Sequence, residues 1–527
     1  MPIQIEAKVA SDGWTEFSLS PSAQRVYVSE STGNDTNSGL SESYPVRSIS
    51  VGLSLLRNGY GDWLLLKRGD TFPATDVPQA GYLLSKGGRS EGEKMLIGAY
   101  GSGARPIINT GGKFGFTSAD GFRHFAITHL DITSDTRLIA TQQPHGFYFN
   151  TSFMDVLIEG CAIRRFRNGI TAQVSGSYSY DLKIRRNVIH DCCGVGAHSQ
   201  GIYVDEVDGV LIEENVLDHL GWSETVSGSD PKDIFKHGLY IQGDARNVVV
   251  LNNIISNASA TAAQLRSGGT FSGNLCLKNP IGLLMGGDGL AANNVFMDAT
   301  DIGVSSGLLR RHGIVVQNIS MGATISDNLI ANSTPGAGSR GFLIQPSADD
   351  HAPFTLFTVR NLILSGNIVA GWGGKGIDFG QFTIATGSQP LTGMEMYDND
   401  IQNALDSGVL IRHQNANTLS IEGSGNRLYS TALNGGNPFY IGGTGAQTLA
   451  QWEAAVAAAG GSDDLGAATQ VTYSAPTRTV STYMTSLGMT ATHAAFITEC
   501  KLQEQTNWRS AFTAQTVNAY LFGGFTG

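Results

Sequence analysis

The chain has 527 residues, 41% of them hydrophobic and only 15% charged, so it folds around a core and is not disordered. A net charge of −11 and a pI near 5.5 argue against nucleic acid as a partner, although a local cluster of Arg, Lys and His can still meet an anion. No run approaches the roughly 18 apolar residues of a membrane span, and five cysteines, an odd number, make no disulfide framework and read as buried thiols.

The first residues, MPIQIEAKVASDGW, lack the basic and apolar regions of a secretory signal. From Val26, VYVSESTGNDTNSGL reads as a strand and a polar loop. Ser48 then starts a short helix, and Leu64 to Lys67 form the next strand. In the middle of the chain one phrase recurs, a Gly followed by alternating apolar residues. It runs HGFYFN from His145, NGITAQ from Asn168, QGIYVD from Gln200 and HGLYIQ from His237. It continues as AQLRSG from Ala263, IGLLMG from Ile281, HGIVVQ from His312, RGFLIQ from Arg340, KGIDFG from Lys375 and SGVLIR from Ser407. Such alternation marks strands with one buried face.

A second phrase, Asn before an apolar pair, follows at Asn187, Asn215, Asn253, Asn274, Asn294, Asn328, Asn367, Asn399 and Asn426. The interval ranges from 20 residues (Asn274 to Asn294) to 39 (Asn328 to Asn367), as expected for solenoid turns with inserted loops. Asn tolerates left-handed backbone in a turn, and stacked coils let such residues form a hydrogen-bonded ladder. After residue 440 the repeat stops. Thr448 and Gln451 have capping-box spacing ahead of WEAAVAAA, and Thr490 to Phe522 has helical composition. The expected fold is all-β: a right-handed parallel β-helix over 61–440, an N-terminal cap over 1–60 and a small helical cap or arm over 441–527.

Taking the residue after each Gly as buried, the outward column reads Tyr148, Thr171, Tyr203, Tyr240, Arg266, Leu284, Val315, Leu343, Asp378 and Leu410. Three coils concentrate polar groups on one exposed sheet: Tyr203, Asp205, His237, Tyr240, Gln242 and Arg266; the residue just before each Gly reads His145, Asn168, Gln200 and His237. A solvated wall needs no such concentration, whereas a ligand site on rigid strands does. The insertion DHLGWSETVSGSDPKDIFKHG adds Trp222, Lys232, Asp233 and Lys236 at the edge of these coils. The loop HDCCGVGAHSQG adds His190, Asp191 and His198.

The repeat, the Asn ladder and the Gly-Asn-Asp loop before a capping helix resemble the pectate-lyase-like β-helix superfamily over residues 25–440. That superfamily includes polysaccharide lyases, β-helical glycoside hydrolases, C5-epimerases and phage tailspike depolymerases. The resemblance implies a polysaccharide partner and an extracellular or secreted protein; it leaves the reaction open. The preferred reaction is β-elimination on a uronate-containing polysaccharide. Arg266 would neutralise the sugar carboxylate, His237 or Lys236 would be the base, and Tyr240 or Tyr203 the acid. Asp205 with Glu206 or Asp233 would alternatively hold Ca²⁺. A second reading is a hydrolase with Asp205 paired to Asp233 or Glu206. A third is a glycan-binding or structural β-helix using Tyr148, Tyr203, Tyr240 and Trp222 as stacking platforms.

Overall fold

The computed structural model describes residues 9–196, 198–302, 310–332, 338–346, 358–380, 391–402, 409–430 and 437–527. The copy of the repeat that begins at Ser407 therefore starts outside the described residues. Among the described residues the strands form three sheets of fourteen, and the strand pairs run parallel except in the hairpin of Phe439–Ile441 and Gly445–Gln447. The chain is thus a right-handed parallel β-helix. It divides into two compact units, each described by itself: residues 1–230, 245–249 and 500–509, and residues 231–244, 250–499 and 510–527.

Within the first unit, Val156, Leu182 and Val210 stack in register and are fully buried. Within the second, one sheet stacks Leu239, Ala263, Leu283, Ile314, Phe342, Ile377, Ile411 and Phe439. Identical apolar positions recur coil after coil because each coil buries its inner face only against its neighbours and the opposite walls.

All nine asparagines of the second phrase are buried. In the second unit the backbone N–H and the Nδ2 of Asn274 both donate to Asn294 Oδ1, at 2.9 and 3.1 Å. Asn294 does the same to Asn328, at 3.0 and 2.9 Å. Asn187 is held by Asn215 in the same manner in the first unit. The left-handed backbone expected of these asparagines belongs instead to the residue before each one. Arg186, Glu214, Asn252, Asn293, Asp327 and Asp398 have φ between 52° and 58°, and Gly273, Gly366 and Gly425 complete the column. The ladder Asn stays in ordinary backbone space, where its amide can clamp the next coil.

The recurring Gly marks the corner at which each coil enters its third sheet. A Cβ on Gly146 would lie 2.8 Å from Ile163 Cγ2, on Gly313 2.6 Å from Ile330 Cγ2 and on Gly341 2.7 Å from Val369 Cγ1. The requirement is for space. Because the corner residue points inward, the residues one before and two after it both point outward. That geometry brings His145 to 4.8 Å from Tyr148, and His237 to 5.0 Å from Tyr240, ring centroid to ring centroid.

Ser48 caps the helix Ile49–Leu55, accepting from Val51 N–H, and Trp63–Lys67 is the strand that follows. Thr448 and Gln451 form the expected capping box ahead of the helix Leu449–Ala458. That helix is anchored by Trp452, stacked on Phe439 at 4.7 Å, whose Nε1 donates to His413 Nε2 at 3.1 Å. The tail forms the helices Val480–Ser486, His493–Lys501 and Ala514–Phe522.

Candidate functional site

In the second unit, the strand His237–Ile241 presents His237 and Tyr240 on the outer face of its sheet, their rings edge to face at 63°. His237 Nδ1 is 2.7 Å from Thr261 Oγ1 on the next coil, which fixes the imidazole plane. Arg266 lies just beyond the strand Thr261–Leu265; its N–H donates to the Ile241 carbonyl at 2.9 Å. Its guanidinium carbon sits 5.3 Å from the Tyr240 ring centroid. The phenol is thus bordered by an imidazole and a cation. Both Tyr240 (6% exposed) and His237 (5%) are largely withdrawn from water.

The register corrects the expected column at two coils. Gln264, not Arg266, stands opposite Tyr240, because Ala262 takes the corner that Gly fills elsewhere. Arg266 falls two residues later, beside Gln242, and still points outward. Likewise Arg412, not Leu410, is opposite Asp378, and Leu410 is fully buried. Gln242 is half-buried, and its Oε1 has no partner among the described residues.

Lys236, the alternative candidate base at the edge of these coils, is not open to a substrate. Its side chain is fully buried, with Nζ 2.8 Å from Asp233 Oδ2. The Asp233 carboxylate also accepts from Phe235 N–H at 2.8 Å. This pair pins the insertion to its coil, since a buried charge is stable only when matched. Lys232 reaches Thr300 Oγ1 at 3.4 Å.

The remaining candidates lie in the first unit. Tyr203 OH and Gln173 Nε2 both approach Asp205 Oδ2, at 3.4 and 3.5 Å. Gln200 is buried, its N–H donating to Asn168 Oδ1 at 2.9 Å. His198 is exposed, and its carbonyl accepts from Arg167 Nε. Glu206 Oε1 accepts from Gly176 N–H at 3.1 Å. Trp222 packs against His219 at 5.3 Å, beside the strand Val216–Leu220 of another sheet.

Two aspartate–histidine pairs occupy that sheet. His190 Nδ1 is 2.8 Å from Asp191, which also accepts from Ser223 Oγ at 2.7 Å. His219 lies between Asp218 (2.7 Å) and Glu224 (3.0 Å), and Lys501 Nζ reaches Asp218 at 2.5 Å. Burial opposes the charge on Asp218, yet the His219 hydrogen bond and the surrounding cations hold its pKa down to about 2. Burial also opposes the charge of His219, and the two carboxylates overcome it and raise its pKa. The second pair passed unnoticed in the sequence because Asp218 and His219 sit in an ordinary strand-end phrase.

His145 and Tyr148 form a separate aromatic group with Phe114, 5.4 Å from each. Phe114 was not anticipated, although FGFTS is one further copy of the repeat and AGYLLS another. Among the described residues, no three His, Cys, Asp or Glu side chains are grouped to hold a metal ion. Among the same residues, no helix is long and apolar enough to cross a membrane.

A family model described as the right-handed β-helix region matches residues 126–280 and 168–378. No curated protein matches the chain. Among solved structures, the chain is similar to XylC in complex with xylose, with 11% identity, 73% of this chain and 84% of that one covered, and a TM-score of 0.48. It is similar to an alginate lyase from Paenibacillus sp., with 14% identity, coverage of 67% and 97%, and a TM-score of 0.40. A GH136 lacto-N-biosidase from Eubacterium ramulus gives 12% identity and a TM-score of 0.36; 81% of this chain is covered, and it spans 66% of the biosidase.

Proposed function

We propose that this right-handed β-helix protein is a carbohydrate-active enzyme, and that it cleaves a uronate-containing polysaccharide by β-elimination at His237, Tyr240 and Arg266. The observation that carries the reading is the phenol of Tyr240, bordered at about 5 Å by the His237 ring and the Arg266 guanidinium. Elimination needs three things at once, and this group offers each. Arg266 pairs with the sugar carboxylate and so acidifies the neighbouring C–H. His237, oriented by Thr261, takes that proton. The C–H electron pair becomes the C=C bond of the product, the C–O bond to the leaving sugar breaks, and Tyr240 protonates the departing oxygen. Lys236 has no part in this scheme, because its ammonium is committed to Asp233.

Of the carboxylate pairs a hydrolase could use, Asp205 with Asp233 is disfavoured because Asp233 is already held by Lys236 and Phe235. A polysaccharide substrate implies an extracellular or secreted site of action. The test is incubation with a panel of uronate-containing glycans, following ultraviolet absorbance and product mass. Unsaturated ends are expected, with Tyr240→Phe lowering kcat by about 10²–10⁴-fold and leaving the Tm unchanged. Reducing ends released without an absorbing product would overturn elimination. Tight binding without any cleavage would favour a glycan-binding protein.

A further inference from the structure

The outer face of the first unit carries a second group of ligand-type residues that the proposed chemistry does not use. Phe114 and His145 each precede a corner glycine, so they occupy one column; Tyr148 lies in the next column, above Thr117 and Leu83. The three rings contact one another: Phe114 to Tyr148 at 5.4 Å and 34°, Phe114 to His145 at 5.4 Å and 46°, His145 to Tyr148 at 4.8 Å and 76°. Phe114, His145 and Tyr148 are half-buried, and Leu83 beside them is 55% exposed. Aromatic rings pointing outward from a β-helix wall do not contribute to its core, so the sheet itself does not account for them.

The polar groups of this shelf suit a neutral ligand. Burial, assisted by Arg167, pushes the pKa of His145 down to about 3, so the ring is uncharged across the neutral range. Its Nδ1 is shielded from solvent and has no partner among the described residues. Nearby cations have other engagements: Lys113 Nζ donates to the Ala74 and Val77 carbonyls at 2.8 and 2.5 Å, and Arg167 Nε to the His198 carbonyl at 2.9 Å. An apolar ring face beside a neutral imidazole fits the C–H face of a pyranose better than a carboxylate.

We propose that the Phe114–His145–Tyr148 shelf binds an uncharged pyranose residue. This rests on the reading of the protein as one that engages polysaccharides. It adds that the glycan carries neutral sugars as well as uronates, and is therefore not a homopolymer of uronic acid.

Calorimetric titration of the full chain carrying Tyr240→Phe, with cellohexaose, mannohexaose and xylohexaose as separate probes, tests it. At least one hexasaccharide should bind, with affinity falling about tenfold in Tyr148→Leu, which keeps the apolar bulk and loses the ring face. Phe114→Leu should act in the same direction. Binding should stay constant between pH 8 and pH 5, because His145 does not titrate there. No binding by any of the three probes, or binding that both substitutions leave unchanged, would overturn the proposal. Cleavage of uronate glycans by the unsubstituted protein, assayed separately, reports on the elimination reading alone, so failure of one is not mistaken for failure of the other.

Discussion

Asn294 makes four hydrogen bonds to three neighbours with one side chain. Its Nδ2 donates to the Phe271 carbonyl and to Asn328 Oδ1, both at 2.9 Å, while its Oδ1 accepts from the backbone N–H and the Nδ2 of Asn274. None of these groups can turn to water, since both partner asparagines are fully buried. At about 1–3 kcal/mol for each buried group left unsatisfied, Asn294→Ala should cost roughly 3 kcal/mol or more, read as a lowered urea midpoint. The exposed Asn150, changed to Ala, should move the midpoint by less than about 0.5 kcal/mol in equivalent stability. The ladder was readable in the sequence because a buried amide that must bond the next coil admits no substitute in nine successive places. The left-handed residue before it was not. That position accepts Arg, Glu, Asp, Asn or Gly, so no single residue type announces it. The site shows the same contrast. His237 and Tyr240 stood out by residue type, whereas the commitment of Lys236 to Asp233 depends on how the insertion folds back.

Corner glycines set the geometry of each coil, and their exceptions explain where the sequence register slips. At Gly282 the Cβ position is taken by Phe296, and at Gly313 and Gly341 by Ile330 and Val369. One coil earlier than Gly282 the equivalent wall position is Cys276, in register between Ile255 and Phe296. A thiol is smaller than an isoleucine side chain or a phenyl ring, and Ala262 fits the corner there. Without its glycine this coil carries no marker in the sequence, and the repeat alone places Arg266 two residues early, onto Tyr240. The corner at Leu410 misled in the same way. The physical claim is testable. Gly313→Ala would put a methyl 2.6 Å from Ile330 Cγ2 and 2.7 Å from the Gly341 carbonyl, an overpacking that should cost about 1–3 kcal/mol. Gly92→Ala, with open space around its Cβ, should be neutral or slightly stabilising. Equal effects on the thermal midpoint would mean that the repeated Gly serves flexibility, not space.

Across the whole chain, distant segments are fastened by buried rings and charges that the repeat does not reveal. In the first unit the Arg186 guanidinium lies 4.8 Å from the Trp14 ring centroid and 4.6 Å from that of Trp508, clasping residues from both ends of the sequence. Arg186→Ala should therefore speed proteolytic clipping near both tryptophans while sparing the strands. Buried histidines have a wider consequence. Burial is the first cause that lowers the pKa of His129 to about 4 and of His145, His312 and His413 to about 3, from an ordinary 6.5. His413 shows why the neutral form is required: its Nε2 accepts from Trp452 while its Nδ1 donates to Thr418 Oγ1 at 2.8 Å, and an imidazolium has no acceptor for the tryptophan. Folded pKa values below the unfolded value mean that the unfolded chain binds protons first. The stability held by these groups is complete above about pH 6.5 and drains as pH falls towards 4 and then 3, at about 1.4 kcal/mol per pH unit for each histidine. His219, whose pKa is raised, has the opposite sign, so its contribution is present at low pH and lost as pH rises. Among the described residues, the histidines with lowered pKa outnumber the raised His219, which should make the protein acid-labile. Urea midpoints should hold above about pH 6.5 and fall between pH 6.5 and 5, and His413→Gln should flatten that fall. A flat profile over that range would show that these histidines reach water in the folded state.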